Sequence, residues 1–297
     1  MSVRHPIVAI TGSSGAGTTT VRETLEEICR HENIRAAFVS GDSFHRLTRD
    51  EMQAAIAAAE REGRRPPSHF GPEGNDLEAL DDFFANYGAS GRGKTRHYLH
   101  DSQDAERYGG HVGGFTPWKE LPGDTDLLFY EGLHGAVKTD TLDISSHPDL
   151  LIGVVPTINL EWIQKIQRDR DVRGYSLEAI TRTILRRMHD YVHYIIPQFS
   201  RTHINFQRVP VVDTSNPFIA RDIPSPEESF VVIRFAQPEC KVNFPDLLST
   251  IQGSFMSRPN TLVIPGGEMR LAMRLIMTPL VERLVENGRK ESAKTIG

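Results

Sequence analysis

IVAITGSSGAGTTT, residues 7–20, passes from a short apolar run into a glycine-rich turn and then into helix-forming sequence. Gly12, four residues, Gly17, Thr18 and Thr19 match the phosphate-loop pattern G-x-x-x-x-G-K-[ST], except that Thr18 stands at the lysine position. Backbone N–H groups across Gly12, Ser13, Ser14, Gly15, Ala16, Gly17, Thr18, Thr19 and Thr20 are therefore expected to converge on nucleotide phosphates, aided by the dipole of the following helix. The Thr19 hydroxyl is expected to face Mg²⁺. The cation that normally neutralises the β- and γ-phosphates must come from elsewhere in the chain. Glycine and serine also build ordinary strand–turn–helix junctions; the order strand, loop, helix favours the nucleotide reading.

At 297 residues the chain can bury a substantial core, as one large α/β domain or two smaller ones. With 34 basic and 39 acidic residues the formal charge is −5, which gives no global footprint for nucleic acid. The apolar run Leu150 to Val155 is too short to span a bilayer, and Met1 to Pro6 lacks the apolar core of a signal peptide, so a cytoplasmic protein with no membrane contact is expected. Cys29 and Cys240 are spaced for neither a disulfide framework nor a zinc site.

Val21, Leu25, Ile28 and Cys29 recur at helical spacing up to about Glu32, and Ala36 to Ser40 reads as a second strand. Gly41-Asp42-Ser43-Phe44-His45 starts at the carboxyl end of that strand, the edge where ligands bind in open parallel sheets, and this makes Asp42 a candidate base. Thr48 to Glu51 has capping-box spacing and predicts a helix ending near Gly63. Arg49 in its first turn opposes the helix dipole and so suggests an anionic partner. Leu77, Leu80, Phe83, Phe84 and Tyr87 predict a further helix stopped by Gly88.

The glycine-rich stretch from Gly88 to Asp124 reads as an excursion over the active edge, with a strand at Thr95 to Leu99; its histidines, including His97, His100 and His111, read as surface or turn residues. Asp126 to Tyr130 is an apolar strand running into Glu131, the carboxylate expected near Mg²⁺ in phosphate-loop enzymes. The stretch from Asn159 to Arg187 carries the densest positive charge. In it Lys165, Arg168 and Asp169 fall at i, i+3 and i+4, on one side of a helix. Lys165, Arg168 and Arg173 are candidates for the missing phosphate-loop cation, whereas Arg182 and Arg186 read as a solvated face. From Ser176 a second helix is expected to bury Leu177, Ile180, Ile184, Leu185, Met188, Tyr191, Val192 and Ile195 and to end at Pro197. Strands at Val209 to Val212, Phe230 to Phe235 and Leu262 to Ile264 do not alternate cleanly with helices. They predict antiparallel additions to the sheet before a terminal helix from about Glu268 to Glu286.

Five segments carry a resemblance to a known family: HPIVAITGSSGAGTTTV (5–21), GDSFHR (41–46), LLFYEGLHGAV (127–137), INLEWIQKIQRDRDVRGYS (158–176) and NFQRVPVVDTSNPFIAR (205–221). The chain resembles the bacterial phosphoribulokinases of photosynthetic and chemoautotrophic proteobacteria along nearly its whole length. The resemblance implies a phosphate-loop, adenylate-kinase-like α/β fold with a mixed, mainly parallel sheet, a single kinase domain over 1–297, and a helical lid around 159–187. It implies transfer of the γ-phosphoryl of MgATP to the 1-hydroxyl of ribulose 5-phosphate. By the same resemblance Asp42 is the general base, and Thr19, Glu131 and Asp169 organise Mg²⁺. His45, Arg49 and Arg173 hold the sugar phosphate, and Lys165 and Arg168 stabilise the transferring group. It further implies an octamer, activation by NADH and inhibition by AMP, with Arg234 and Arg258 as effector contacts.

Unlike the plant-type enzymes, the loop here holds no cysteine, so thiol switching through it is not expected. The competing readings are another small-molecule kinase on the same scaffold, acting on uridine, pantothenate or a different sugar, and a silenced nucleotide sensor. Asp42 and Glu131 argue against a sensor, and Arg49 with Arg173 argues for a phosphorylated acceptor. A nucleic-acid-dependent ATPase is disfavoured by the net charge.

Overall fold

In the computed structural model, residues 4–13, 18–171, 174–236 and 242–296 are described, with Thr18, Thr19 and residues 292–296 as backbone only. β1 (Ile7–Gly12) is followed by α1 (Thr18–His31) and then β2 (Ala36–Ser40). α2 (Arg49–Arg61) and α3 (Leu77–Ser90) follow, then β3 (Lys94–Thr95), α4 (Ser102–Tyr108) and β4 (Lys119–Glu120). β5 (Leu127–Gly132), β6 (Leu150–Val155), α5 (Ile158–Asp171), α6 (Leu177–Asp190) and β7 (Ile204–Pro210) form the middle of the chain. β8 (Ser229–Phe235), α7 (Phe244–Thr250), β9 (Phe255–Arg258), β10 (Thr261–Pro265) and α8 (Met269–Ile296) end it.

An eight-stranded sheet runs in the order β2-β5-β1-β6-β7-β8-β10-β9. Pairings from β2 to β7 are parallel, and β8, β10 and β9 add on in antiparallel fashion. This is the mixed, mainly parallel α/β sheet expected. With parallel strands the carboxyl ends of β1, β2 and β5 share one edge, and register sets Glu131 beside both Ile10 and Ser40.

The period-2 alternation divides each central strand between two cores. Val8, Ile10, Leu127, Phe129, Ile152 and Val154 pack with α1 and α8 on one face. Ile7, Ala9, Leu128, Tyr130 and Leu151 pack with α3 on the other. The α2 cap forms as its sequence requires, with Thr48 Oγ1 accepting from Glu51 N and Glu51 Oε2 accepting from Thr48 N at 2.8 Å.

Several expectations are corrected. Gly88 lies inside α3, which instead ends at Gly91, whose φ of +68° closes the helix in the left-handed conformation. The strand expected at Thr95 to Leu99 contracts to β3, continued only by an isolated Tyr98–Phe115 bridge. α4, only seven residues or about two turns long, is too short to show a periodicity in the sequence. The strand expected at Val209 to Val212 begins earlier, at Ile204, because pairing with β6 and β8 fixes its register; Val211 is exposed. Leu177, Leu185 and Val192 are exposed rather than core: the apolar stripe that α6 buries is Ile180 and Ile184 against Ile166 of α5, with Met188 packed beside Tyr191, and the other face is turned to solvent. Pro197 does not end the helix. It sits in the first turn of a 3₁₀ segment that continues a π turn at Tyr191–Ile195.

Candidate active site

Gly12 closes β1, and buried Ser13 follows it. Ser14, Gly15, Ala16 and Gly17 lie outside the described residues. Thr18 and Thr19 form the first turn of α1, which carries no acidic residue there, and the Thr20 carbonyl accepts from Thr24 Oγ1. The end of the helix nearest the loop is thus open to an anion.

Asp42 projects from the 3₁₀ turn Gly41–Phe44 directly after β2, capped by Ser40. A side chain at Gly41 has no room, since a Cβ there meets Tyr130 Oη at 2.5 Å and Gly132 Cα at 2.8 Å. The turn is thereby pressed against β5, and Asp42 is fixed relative to Glu131. Each oxygen of the Asp42 carboxylate meets an imidazole: His45 Nε2 lies 3.0 Å from Oδ1 and His100 Nε2 2.8 Å from Oδ2. Burial by itself would raise this carboxyl, but charge and hydrogen bonds from His45 and His100 outweigh it and hold the group well below the ordinary carboxylate range. Asp42 is therefore ionised at neutral pH while still 31% exposed, as a proton acceptor for a bound hydroxyl must be.

The excursion through 88–124 does more than its composition suggests. It delivers His100, a surface residue as expected, to Asp42. Its Arg96 guanidinium lies 3.7 Å from the centroid of the Phe115 ring and 4.7 Å from that of Trp118. That side chain donates to the Ser43 and His45 carbonyls at 2.9 and 2.8 Å, while Ser43 Oγ donates to the Arg96 carbonyl. Arg49 Nη2 donates to the His100 carbonyl at 2.7 Å, so its local partner is a backbone oxygen in the excursion rather than the anion that its place in the helix suggested. Nothing in the spacing of these residues announces the meeting, because it depends on a chain reversal between β3 and β4.

The basic face of α5 forms as expected. Lys165 Nζ pairs with Asp169 Oδ2, and Arg168 Nε reaches Asp169 Oδ1 at 3.3 Å. Burial lowers the Lys165 ammonium from its usual value, and Asp169 opposes that shift. Arg187 of α6 bears electrostatically on Lys165 and also on His69, which stacks on His45. This couples the α5–α6 pair to the Asp42 cluster. Glu161, one turn before Lys165 and 6% exposed, accepts from Tyr191 Oη at 2.9 Å. Burial raises its carboxyl, and the Ser13 hydroxyl, Tyr191 and Lys165 pull the other way. Glu161 thus links α5 to Tyr191 just beyond α6. Its only trace in the sequence is an acid beside Leu160 in an otherwise apolar stripe.

Arg182 is exposed and paired with Glu178, as expected of a solvated face, whereas Arg186 is mostly buried, 4.0 Å from Glu60. Arg173 lies outside the described residues. Arg234 on β8 and Arg258 on β9 are exposed and flank Thr261 in register from either side, so one face of that sheet edge carries both. Among the described residues no helix is long and apolar enough to cross a membrane.

Comparison with known proteins extends these observations. A family model described as the Phosphoribulokinase / Uridine kinase family matches residues 7–215. A chromosomal phosphoribulokinase of Cupriavidus necator is 60% identical over 294 residues, spanning 99% of this chain and 100% of its own. A phosphoribulokinase of Rhizobium meliloti is 58% identical over 292 residues, 98% of this chain and 100% of its own. A solved phosphoribulokinase from Rhodobacter spheroides superposes with a TM-score of 0.89 at 52% identity, covering 97% of this chain and 100% of that one. Identity of this extent along both chains carries more than shared architecture: the chain belongs to the phosphoribulokinase/uridine kinase family.

Proposed function

We propose that the chain is a phosphoribulokinase, transferring the γ-phosphoryl of MgATP to the 1-hydroxyl of ribulose 5-phosphate to give ribulose 1,5-bisphosphate. The observation that carries this reading is the Asp42 carboxylate, held ionised between His45 and His100 on the edge where β1 also ends. Full-length relatives bearing the phosphoribulokinase name supply the acceptor.

In this reading Asp42 takes the hydroxyl proton as the hydroxyl oxygen forms its bond to the γ-phosphorus and the bond to the ADP oxygen breaks. The turn from Gly12 to Thr20 holds the nucleotide phosphates. Lys165 and Arg168 supply the charge that Thr18 lacks, with Asp169 fixing both side chains until substrate draws them away. Arg49 and Arg173 hold the sugar phosphate; His45 lines the same site with its two ring nitrogens turned to Asn75 and Asp42. Mg²⁺ supplies charge neutralisation on the phosphates when bound, and Glu131, a hard oxygen donor at the end of β5, fits it together with Thr19 and nucleotide oxygens. Asp169 fits a second role there, although here its oxygens face Lys165 and Arg168.

Activation by NADH through Arg234 and Arg258, and assembly into an octamer, belong to the same proposal, as does the hinged movement of 159–187. The deciding measurement is ATP consumption with ribulose 5-phosphate, compared with uridine, pantothenate and unphosphorylated ribulose, with and without NADH, on protein sized by sedimentation. Turnover confined to ribulose 5-phosphate and raised by NADH is expected; preference for uridine or pantothenate would overturn the reading.

A further inference from the structure

Asn75 lies at the end of the loop between α2 and α3, is 2% exposed, and forms an isolated backbone bridge with His45. Its two amide hydrogens are both committed, to the His69 carbonyl at 2.9 Å and the Gly71 carbonyl at 2.7 Å. A carbonyl only accepts, so the amide cannot be turned over without facing oxygen to oxygen at two points. Asn75 Oδ1 must therefore face His45 Nδ1, 2.8 Å away, and Nδ1 must carry a hydrogen. The other ring nitrogen, Nε2, lies 3.0 Å from Asp42 Oδ1. A neutral ring with its hydrogen at Nδ1 would leave a bare nitrogen 3.0 Å from a carboxylate oxygen, two electron-rich atoms with no hydrogen between them. The contact is favourable only when Nε2 carries a hydrogen too.

We propose that Asn75 is a positioning residue that keeps His45 doubly protonated beside Asp42, so that the base is held ionised by a fixed imidazolium. The assignment rests on the reading of Asp42 as the base. The surroundings of the ring agree with one cation at this point. His69 stacks on it at 4.0 Å between centroids and 32° between planes, with the edge of Tyr98 at 5.5 Å. Burial and the neighbouring His45 charge keep His69 well below the usual histidine range, so the stack holds one charge and not two. His100 approaches Asp42 from the opposite side, buried His134 stays neutral nearby, and Arg187 bears on the cluster through His69. Arg96 fixes the His45 carbonyl and leaves the ring free to answer to Asn75 and Asp42.

The consequence is a division of labour. His45 already holds both ring hydrogens and cannot receive the proton that Asp42 takes from the substrate; it lowers the basicity of Asp42 and in exchange keeps the acceptor form populated at lower pH. Removing the acceptor at Nδ1 lets the ring become neutral with its hydrogen on Nε2, and the Asp42 carboxylate then binds a proton more readily.

The test uses ¹⁵N-histidine NMR on the full-length protein, with the His45 signals assigned by their loss in His45→Gln. In the unaltered protein both His45 ring nitrogens should read as protonated at pH 7.5. In Asn75→Ala the ring should read as neutral at that pH, and the acid limb of the kcat/KM profile should move up by about one pH unit or more. A neutral His45 in the unaltered protein overturns the proposal, and so does an Asn75→Ala variant whose ring signals and acid limb both stay put. Should Asn75→Ala fail to fold, the spectrum of the unaltered protein still decides. Asp42→Asn separates this assignment from the reading beneath it: near-normal turnover there removes Asp42 as base, while the His45 spectrum is judged independently.

Discussion

Around Asp42 the governing effect is the balance of burial against nearby charge, and the same balance acts in reverse on His134. That ring is 3% exposed, donates towards the Phe70 carbonyl at 3.1 Å and is depressed from 6.5 to about 4, chiefly by burial. The folded state therefore holds this proton less tightly than the unfolded chain does. Between pH 6.5 and about 4 the unfolded state binds more protons, and stability should fall as pH drops through that window, by up to about 3 kcal/mol from this group. His134→Gln keeps a donor for Phe70 and cannot titrate. Its denaturation midpoint, measured from pH 7 to pH 4.5, should lose less than that of the unaltered protein; parallel pH profiles would exclude His134 as a source of acid sensitivity. Of this residue-level detail little is legible in sequence. Asp42 was, because a carboxylate after a strand has a fixed place in a parallel sheet. His100, Asn75 and Arg96 were not, because Asp42, His45 and Ser43, which they meet here, lie 58, 30 and 53 positions away.

At the scale of elements, the proposed mechanism has the α5 helix carry the charge that the phosphate loop lacks, and its spacing was readable. Residues at i, i+3 and i+4 share a face wherever the helix packs. What the spacing could not give is that Asp169 pairs with both Lys165 and Arg168, or that Glu161 one turn earlier is buried against Tyr191. Lys165→Ala and Arg168→Ala should each lower kcat by about two orders of magnitude with little change in nucleotide affinity. Arg182→Ala, on the exposed side with Glu178, should lie within a few-fold of the unaltered enzyme. Steady-state kinetics with a separate nucleotide titration would check both. Equal, mild losses at all three positions would reduce the cluster to a solvated face.

For the whole molecule, two cores on opposite faces of one sheet share the work unequally. The larger, between the sheet and α1 with α8, includes Met273, which is 0% exposed. Arg270 of α8 links the same two helices through Glu23 at 2.7 Å and Glu27 at 3.3 Å, exposed pairs of small energetic weight. Met273→Ala should cost about 2–5 kcal/mol, read as a lower denaturant midpoint at an unchanged m-value. Arg270→Ala should cost under about 1 kcal/mol by the same measurement.

The parallel sheet, the two strand-end carboxylates and the basic helix were determined by the sequence alone. Each follows from a local rule: period-2 or period-3.6 burial, or an acid where a buried strand meets solvent. The family was legible for a related reason, since the segments that build the site are short and contiguous. Tertiary structure decided the rest. Only the folding of residues 94–120 back over β2 brings His100 to Asp42 and Arg96 to the turn beneath it. Only the loop before α3 sets Asn75 against His45. These contacts join residues with no common period, so their geometry exists only once the sheet has fixed where each loop begins.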